Sequence, residues 1–313
     1  MSSSLASPSV PRREDAAAKP RPAALLLHSL RPHQWVKNLL VFVPFLAAHA
    51  WGSAAGWTRL VPFFLAFNFA SSAGYLFNDL IDLDSDRRHP AKRRRPLASG
   101  QLPVSGGLSA AAGCLGLGLA LAAWTGRPGV GLLLLYLAFT VSYSLIWKRL
   151  FALDILVLAL LYTLRLVAGA AVADVSLSPW LLTLSMFLFL SLATAKRYSE
   201  LSNQLREGRE VNAARGYRPQ DLSQLNVLGS ASGYLSVLVL ALYINSEHIS
   251  TLYRHPQAFW ALCPLLLYWI SRLWLLTHRG EMLEDPVVFA LKDPVSYTLA
   301  AMTALVTVLA GPR

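Results

Sequence analysis

The residues best suited to chemistry lie in one stretch, Asn78 to Gly100. It opens Asn78-Asp79-x-x-Asp82-x-Asp84-x-Asp86 and continues Arg87-Arg88-His89-Pro90-x-Lys92-Arg93-Arg94-Arg95-Pro96-Leu97-Ala98-Ser99-Gly100, so four carboxylates precede six Lys and Arg. On a helix, Asn78, Asp79, Asp82 and Asp86 fall at spacings of three and four and share a face, whereas Asp84 points elsewhere. Carboxylates crowded in this way repel one another unless a cation sits among them. Mg²⁺ suits the donor set, because it takes oxygen ligands, keeps several waters and bridges to substrate phosphates. The plainer alternative is a solvated helix end whose acids pair with the following basic run. An EF-hand is excluded: the run Asp82-x-Asp84-x-Asp86 meets Arg87 where a Gly is needed and Arg93 where a Glu is needed. Pro90 and Pro96 bracket the basic run and suggest a shaped loop, with Lys92 and Arg95 as its phosphate contacts.

Long apolar segments must position this stretch. The chain has 313 residues, 55% of them hydrophobic, and a mean hydropathy of +0.45. That is the composition of a multi-spanning membrane protein. Nine apolar segments approach the roughly 20 residues that a spanning helix needs: 38–55, 60–80, 106–125, 129–147, 153–173, 179–196, 226–246, 257–277 and 294–311. With the N-terminus in the cytoplasm and the C-terminus outside, only Arg59, Arg127, Arg254 and Arg313 fall on the outer side and Arg165 inside a span. The remaining 23 of the 28 Lys and Arg are cytoplasmic, as the positive-inside rule requires. Residues 1–24, rich in Ser, Pro, Ala and Arg and without an apolar core, read as a disordered cytoplasmic tail. Residues 25–313 read as a single transmembrane domain. The net charge of +11 then reports cytoplasmic loops and anionic lipid headgroups, not nucleic acid. Cys114 and Cys263 lie in apolar runs and read as small hydrophobes, not as a disulfide or a zinc site.

Three polar loops, 81–105, 197–225 and 278–293, place the chemistry at the cytoplasmic face. Other charges near it each carry two readings. Arg165, inside a span, needs an acid or a phosphate as partner. Lys196-Arg197-Tyr198, with Glu200 at i+4 from Lys196, is either a phosphate grip or a snorkelling cluster with a helix ion pair. Lys148-Arg149 reads first as a topology anchor. Near the end, Lys292 or Asp293 could reach the site.

With Asn78-Asp79-x-x-Asp82-x-x-x-Asp86 followed by His89-Pro90-x-Lys92-x-x-Arg95-Pro96-Leu97-Ala98-Ser99-Gly100, the chain resembles the UbiA superfamily of intramembrane prenyltransferases over nearly its whole length. The resemblance implies nine helices around a central cavity in the bacterial inner membrane, and Mg²⁺ with a diphosphate at the first acidic motif. Most members carry a second motif, Asp-x-x-x-Asp, after the sixth helix, but here that place reads Lys196-Arg197-Tyr198-Ser199-Glu200-Leu201. The chain is similar instead to the decaprenyl-phosphate phosphoribosyltransferase branch. The similarity rests on Leu30-Arg31-Pro32-x-Gln34-Trp35-x-Lys37-Asn38, Tyr143-Ser144-x-x-x-Lys148, Lys196-Arg197-Tyr198-x-Glu200-Leu201 and Ala290-Leu291-Lys292-Asp293. That branch implies phosphoribosyl diphosphate as donor and a polyprenyl phosphate as acceptor. Asp79, Asp82 and Asp86, helped by Asn78, would hold the metal. Arg31, Lys37, Lys92, Arg95, Lys148, Arg165, Lys196, Arg197, Tyr198 and Lys292 would bind substrate. The alternatives are a prenyltransferase that uses a prenyl diphosphate and, further off, a lipid transporter.

Overall fold

The computed structural model describes residues 22–88, 90, 92–208, 216–282 and 285–311. Among them every regular element is helical. The tail expected at 1–24 lies outside the described residues up to position 21, and its last three residues belong to the helix α1, Pro22–Leu30.

Seven helices are long and apolar enough to cross a membrane. They are α3 (Ala54–Ile81), α5 (Val104–Trp124), α6 (Arg127–Leu145), α7 (Leu153–Ala173), α8 (Pro179–Arg206), α9 (Asp221–Ile244) and the stretch Pro256–Arg279, whose α-helical part is α11 (Leu262–Arg279). All seven coincide with expected segments. Large apolar side chains such as Leu117, Trp124, Leu238 and Leu275 face outward, the surface that a bilayer solvates and water does not. The protein is therefore an integral membrane protein. The segment expected at 294–311 forms a shorter apolar helix, α13 (Pro294–Leu309).

The segment expected at 38–55 departs from a single helix. It divides into a 3₁₀ run over Pro32–Phe42, the short α2 (Val43–Ala47) and a further 3₁₀ turn at Ala50–Gly52. Arg31 enters it from the left-handed region at φ 53°. In a 3₁₀ helix, side chains three apart eclipse, so Trp35, Asn38 and Val41 form one row. That row is used for packing: Trp35 Nε1 donates to Ser72 Oγ at 3.0 Å, and Asn38 Nδ2 donates to Asn68 Oδ1 at 2.8 Å. Gly169 of α7 admits the third, since a Cβ there would lie 1.9 Å from the Val41 carbonyl oxygen.

Two apolar clusters follow from these contacts. One joins α3, α6 and α7 to the 3₁₀ run, through Val41, Phe45, Phe63, Phe67, Leu133 and Leu164. The other joins α7, α8, α9 and α11, through Leu166, Phe189, Leu192, Ile270 and Trp274. Small residues let helices approach closely, as at Gly118, where a Cβ would meet the Ala66 carbonyl oxygen at 3.1 Å. α3 and α8 have 28 residues each, about 42 Å at 1.5 Å per residue. A hydrocarbon core is about 30 Å thick, so both helices carry their polar ends beyond it, and the site lies there.

Candidate active site

The acidic motif sits where α3 stops. Asp82 is its C-cap, with φ −88° and ψ 10°, and α4 (Leu83–Arg88) begins at the next residue. The amides of Asp82 and Asp86 still reach the carbonyls of Asn78 and Asp82, at 2.9 and 2.8 Å. The break nonetheless divides the acids that a continuous helix would align. Asp79 and Asp86, both buried, face one guanidinium: Arg95 Nη1 donates to Asp79 at 2.8 Å and to Asp86 at 2.6 Å. Asp82 faces Lys148 instead, at 3.0 Å. Arg31 donates to both oxygens of Asp79, at 2.6 and 2.8 Å, and Lys92 lies 3.8 Å from Asp86. Asp84 projects away and pairs with Arg87, at 3.6 Å. Asp79, Asp84 and Asp86 are thus paired with the basic run, as the plainer reading expected, while Asp82 is paired with Lys148, and Asp79 and Asp86 are buried, not solvated.

A cavity of about 350 Å³ opens beside the motif. Of the expected site residues, Asn78, Asp82, Arg31, Lys37, Lys92, Arg95, Lys148, Arg165, Lys196 and Arg197 line it. Asp79 and Asp86 stand behind, held by Arg95. The lining holds eight Lys and Arg against three acids, Asp82, Glu200 and Asp285. That balance suits a ligand carrying several negative charges.

Asp285 organises the wall opposite the motif. Lys37 Nζ donates to its Oδ2 at 2.7 Å, and Lys196 Nζ lies 3.2 Å from the same atom. Its other oxygen accepts from the Val287 amide at 3.1 Å, capping the short helix α12 (Pro286–Ala290). Burial works to raise the Asp285 carboxyl, but Lys196 and Lys37 outweigh it and hold it well below the usual carboxylate range. Burial lowers Lys37 to about 8, with Asp285 opposing that shift and Lys196 and Arg165 adding to it.

Arg197 is buried and bound on three sides. It lies 2.6 Å from Asp154, pairs with Glu200 and donates to Tyr143 Oη at 3.3 Å. Tyr217, from the connection between α8 and α9, donates to the same Asp154. Arg165 takes neutral partners. It donates to Asn38 Oδ1 at 2.8 Å, to Tyr136 Oη at 3.1 Å and to the Leu161 carbonyl, between the rings of Tyr136 and Tyr162.

Two expected ligands are elsewhere. Tyr198 follows Arg197 by one residue, a 100° turn, and its hydroxyl meets His278 Nδ1 at 2.9 Å on the far side of α8. Lys292 follows α12 and does not line the cavity, and Asp293 binds Arg272 at 2.7 Å and caps α13. Conversely, Tyr75, Tyr136 and Tyr162 line the cavity without any mark in the sequence. Their spacing within apolar helices is that of core aromatics, and only the facing cations mark them. Asp285 lies within the polar loop expected at 278–293, where its sequence neighbours do not set it apart.

The donors of the acidic motif fit a hard divalent cation in kind, since all are oxygens. Among the described residues no three His, Cys, Asp or Glu side chains form a metal cage. Mg²⁺ is commonly held by one or two carboxylates together with water and substrate phosphate, and Asp82 with Asn78 is the oxygen-bearing pair of the motif that lines the cavity.

Fold and site define an intramembrane transferase, and the chain belongs to the UbiA prenyltransferase family, whose pattern matches residues 39–292. Among particular relatives, the uncharacterized protein y4nM of Sinorhizobium fredii is 36% identical over 93% of this chain, which spans only 57% of that relative's length. The nodulation protein NoeC of Azorhizobium caulinodans is 35% identical over 84% of this chain and 85% of its own. The decaprenyl-phosphate phosphoribosyltransferase of Mycolicibacterium smegmatis is 30% identical over 86% of this chain and 87% of its own. The fold is that of a UbiA homolog from Archaeoglobus fulgidus bound to DMAPP and Mg²⁺, with a TM-score of 0.65 at 19% identity, over 90% of this chain and 98% of that one.

Proposed function

We propose that the protein is a Mg²⁺-dependent transferase of the bacterial inner membrane that moves a 5-phosphoribosyl group from phosphoribosyl diphosphate to a polyprenyl phosphate. Residues 25–313 form one catalytic unit of nine membrane crossings, the first over residues 38–55 and the last over 294–311. The site faces the cytoplasm. The observation that carries the reading is the set of eight Lys and Arg lining the cavity, which exceeds its acids even when Asp79, Asp86 and Asp154, paired behind the lining, are added to Asp82, Glu200 and Asp285. A prenyl transfer must hold one diphosphate. Phosphoribosyl transfer must hold a diphosphate, a 5-phosphate and a lipid phosphate together, and fixed cations in a water-poor pocket stabilise that charge.

Asn78 and Asp82 open onto the cavity and would hold Mg²⁺, with Asp79 and Asp86 behind them. When bound, the metal neutralises the leaving diphosphate. The chain's own groups do the rest. Arg31, Lys92, Arg95 and Lys148 surround the diphosphate end and leave its charge compensated as it departs. The C1–O bond to diphosphate breaks, its electron pair leaves with the diphosphate, and an oxygen of the lipid phosphate forms the new bond to C1. That oxygen is already ionised, so the site needs no strong general base.

Purified protein given labelled phosphoribosyl diphosphate, a polyprenyl phosphate and Mg²⁺ is expected to yield an organic-extractable labelled lipid, and none without the metal. Asp82→Asn should lower kcat by about 100-fold or more while the protein elutes as a folded species. The second reading is a prenyl diphosphate donor, favoured by the DMAPP-bound structural relative. Turnover of a prenyl diphosphate with no ribosyl transfer would replace the first reading with this one.

A further inference from the structure

Resting on the reading above, we propose that Lys37 and Lys196, held together on Asp285, seat the phosphate of the lipid acceptor, and that the apolar stripe of α8 below them carries its chain. Two ammonium groups share one carboxylate oxygen, at 2.7 and 3.2 Å. Two buried cations on one carboxylate oxygen, with Glu200 the further acid acting on Lys196, favour an anion that approaches from the cavity side. Lys196 stands at the polar end of the row Leu184, Leu188, Leu192, Lys196, one residue every four along α8. Such a row covers one side of a helix, and its length is about 18 Å.

The stripe leads out of the cavity. Leu192 and Lys196 line the cavity, while Leu188 and Leu184 line a separate apolar groove of about 510 Å³ between α8, α9, α11 and α13. Val287, two residues from Asp285, lines both. Leu184 and Leu240 continue into a further apolar hollow of about 660 Å³. None of the motif residues Asn78 to Asp86 lines either apolar space. The two walls therefore suit two substrates. The acid motif, Arg95 and Lys148 take a donor that has no apolar chain. The Lys37–Lys196 pair takes the substrate whose head is a phosphate and whose body must lie in hydrocarbon.

Direct binding separates this assignment from the transfer reaction. Full-length protein in detergent is titrated, by tryptophan fluorescence, with geranylgeranyl phosphate and separately with phosphoribosyl diphosphate and Mg²⁺. Lys196→Gln is expected to weaken geranylgeranyl phosphate at least tenfold and to leave phosphoribosyl diphosphate within twofold. Asp82→Asn should do the reverse. Ala290→Trp, which narrows the groove without touching either charged wall, should weaken geranylgeranyl phosphate but not dimethylallyl phosphate, and it serves as the test if the Lys196 variant does not fold. Equal weakening of both ligands by Lys196→Gln, weakening of the ribosyl ligand alone, or indifference of both lipid phosphates to Ala290→Trp would overturn the assignment. If the unaltered protein binds geranylgeranyl phosphate through Lys196 yet never binds phosphoribosyl diphosphate, the donor reading falls and the lipid seat stands.

Discussion

At the scale of single residues, the site is a set of charges held in fixed pairs, and the pairing predicts which substitutions matter. Arg95 bridges Asp79 and Asp86 through one nitrogen. A lysine is shorter and carries its ammonium on a flexible stem, so it does not hold one donor fixed between both acids. Arg95→Lys should therefore lower kcat by roughly 100-fold, the loss usual for one preorganised electrostatic group, with little change in melting temperature. Unchanged kcat would remove Arg95 from the site's working parts. Lys37 predicts a pH profile of opposite signs. Asp285 from the loop before α12, Lys196 from α8, and Tyr162 and Arg165 from α7 face it, and burial leaves it at about 8. Its positive charge is lost as pH rises through about 8, so kcat/KM for the lipid phosphate should fall there. Stability moves the other way. The unfolded lysine binds its proton up to the ordinary lysine value, so between that value and about 8 the unfolded state holds more protons, and stability rises with pH. Melting temperature should climb over the interval in which kcat/KM drops, and Lys37→Arg should flatten both. Activity and melting temperature falling together above pH 8 would count against this role for Lys37.

At the scale of elements, the 3₁₀ run over Pro32–Phe42 is the piece on which the site depends most, because it carries Arg31 at its entry and Lys37 within it. Its depth is set by Gly169, against which the Val41 backbone rests. Gly169→Ala would push that backbone outward, and a methyl group forced into a packed site costs about 1–3 kcal/mol. The displacement should raise the KM for both substrates and lower the melting temperature, whereas Gly113→Ala, where a Cβ meets nothing within 4 Å, should do neither. An unaltered KM in Gly169→Ala would show that the run can shift without moving its cations. This element was also the least legible in the sequence. Its apolar content reads as a spanning α-helix, and only Pro32 and Pro44 hint otherwise. The row Trp35, Asn38, Val41 becomes meaningful once its partners Ser72, Asn68 and Gly169 are known, and those lie on other helices. The end of α3 shows the same limit. The spacing of Asn78, Asp79, Asp82 and Asp86 correctly marked a charged helix end, but the break at Asp82, which turns that acid toward Lys148, depends on a partner 66 residues away.

At the scale of the whole molecule, what was legible is what a bilayer enforces. Apolar length and the bias of Lys and Arg follow from solvation alone, and seven of the expected segments appear as helices long enough to cross. Which charges meet inside the cavity does not follow from solvation. It depends on how α3, α7 and α8 are arranged around the 3₁₀ run, and so Asp285 emerged as a centre while Tyr198 turned away. The same bilayer argument yields the last prediction. If 23 of the 28 Lys and Arg face the cytoplasm, then Arg87, in α4 just beyond the polar end of α3, and Arg59, near the start of α3, lie on opposite sides of the membrane. With Cys114 and Cys263 first changed to Ala, Arg59→Cys in intact cells should react with a membrane-impermeant maleimide, and Arg87→Cys should react only after permeabilisation. Both positions are exposed, so access and not burial decides the outcome. The reverse pattern would put the cation-rich cavity on the outer face, where soluble phosphoribosyl donors are absent, and the proposed reaction could not be served from the cytoplasm. The positive-inside bias opposes that arrangement in every one of the long polar loops, which is why this labelling pair tests topology and function together.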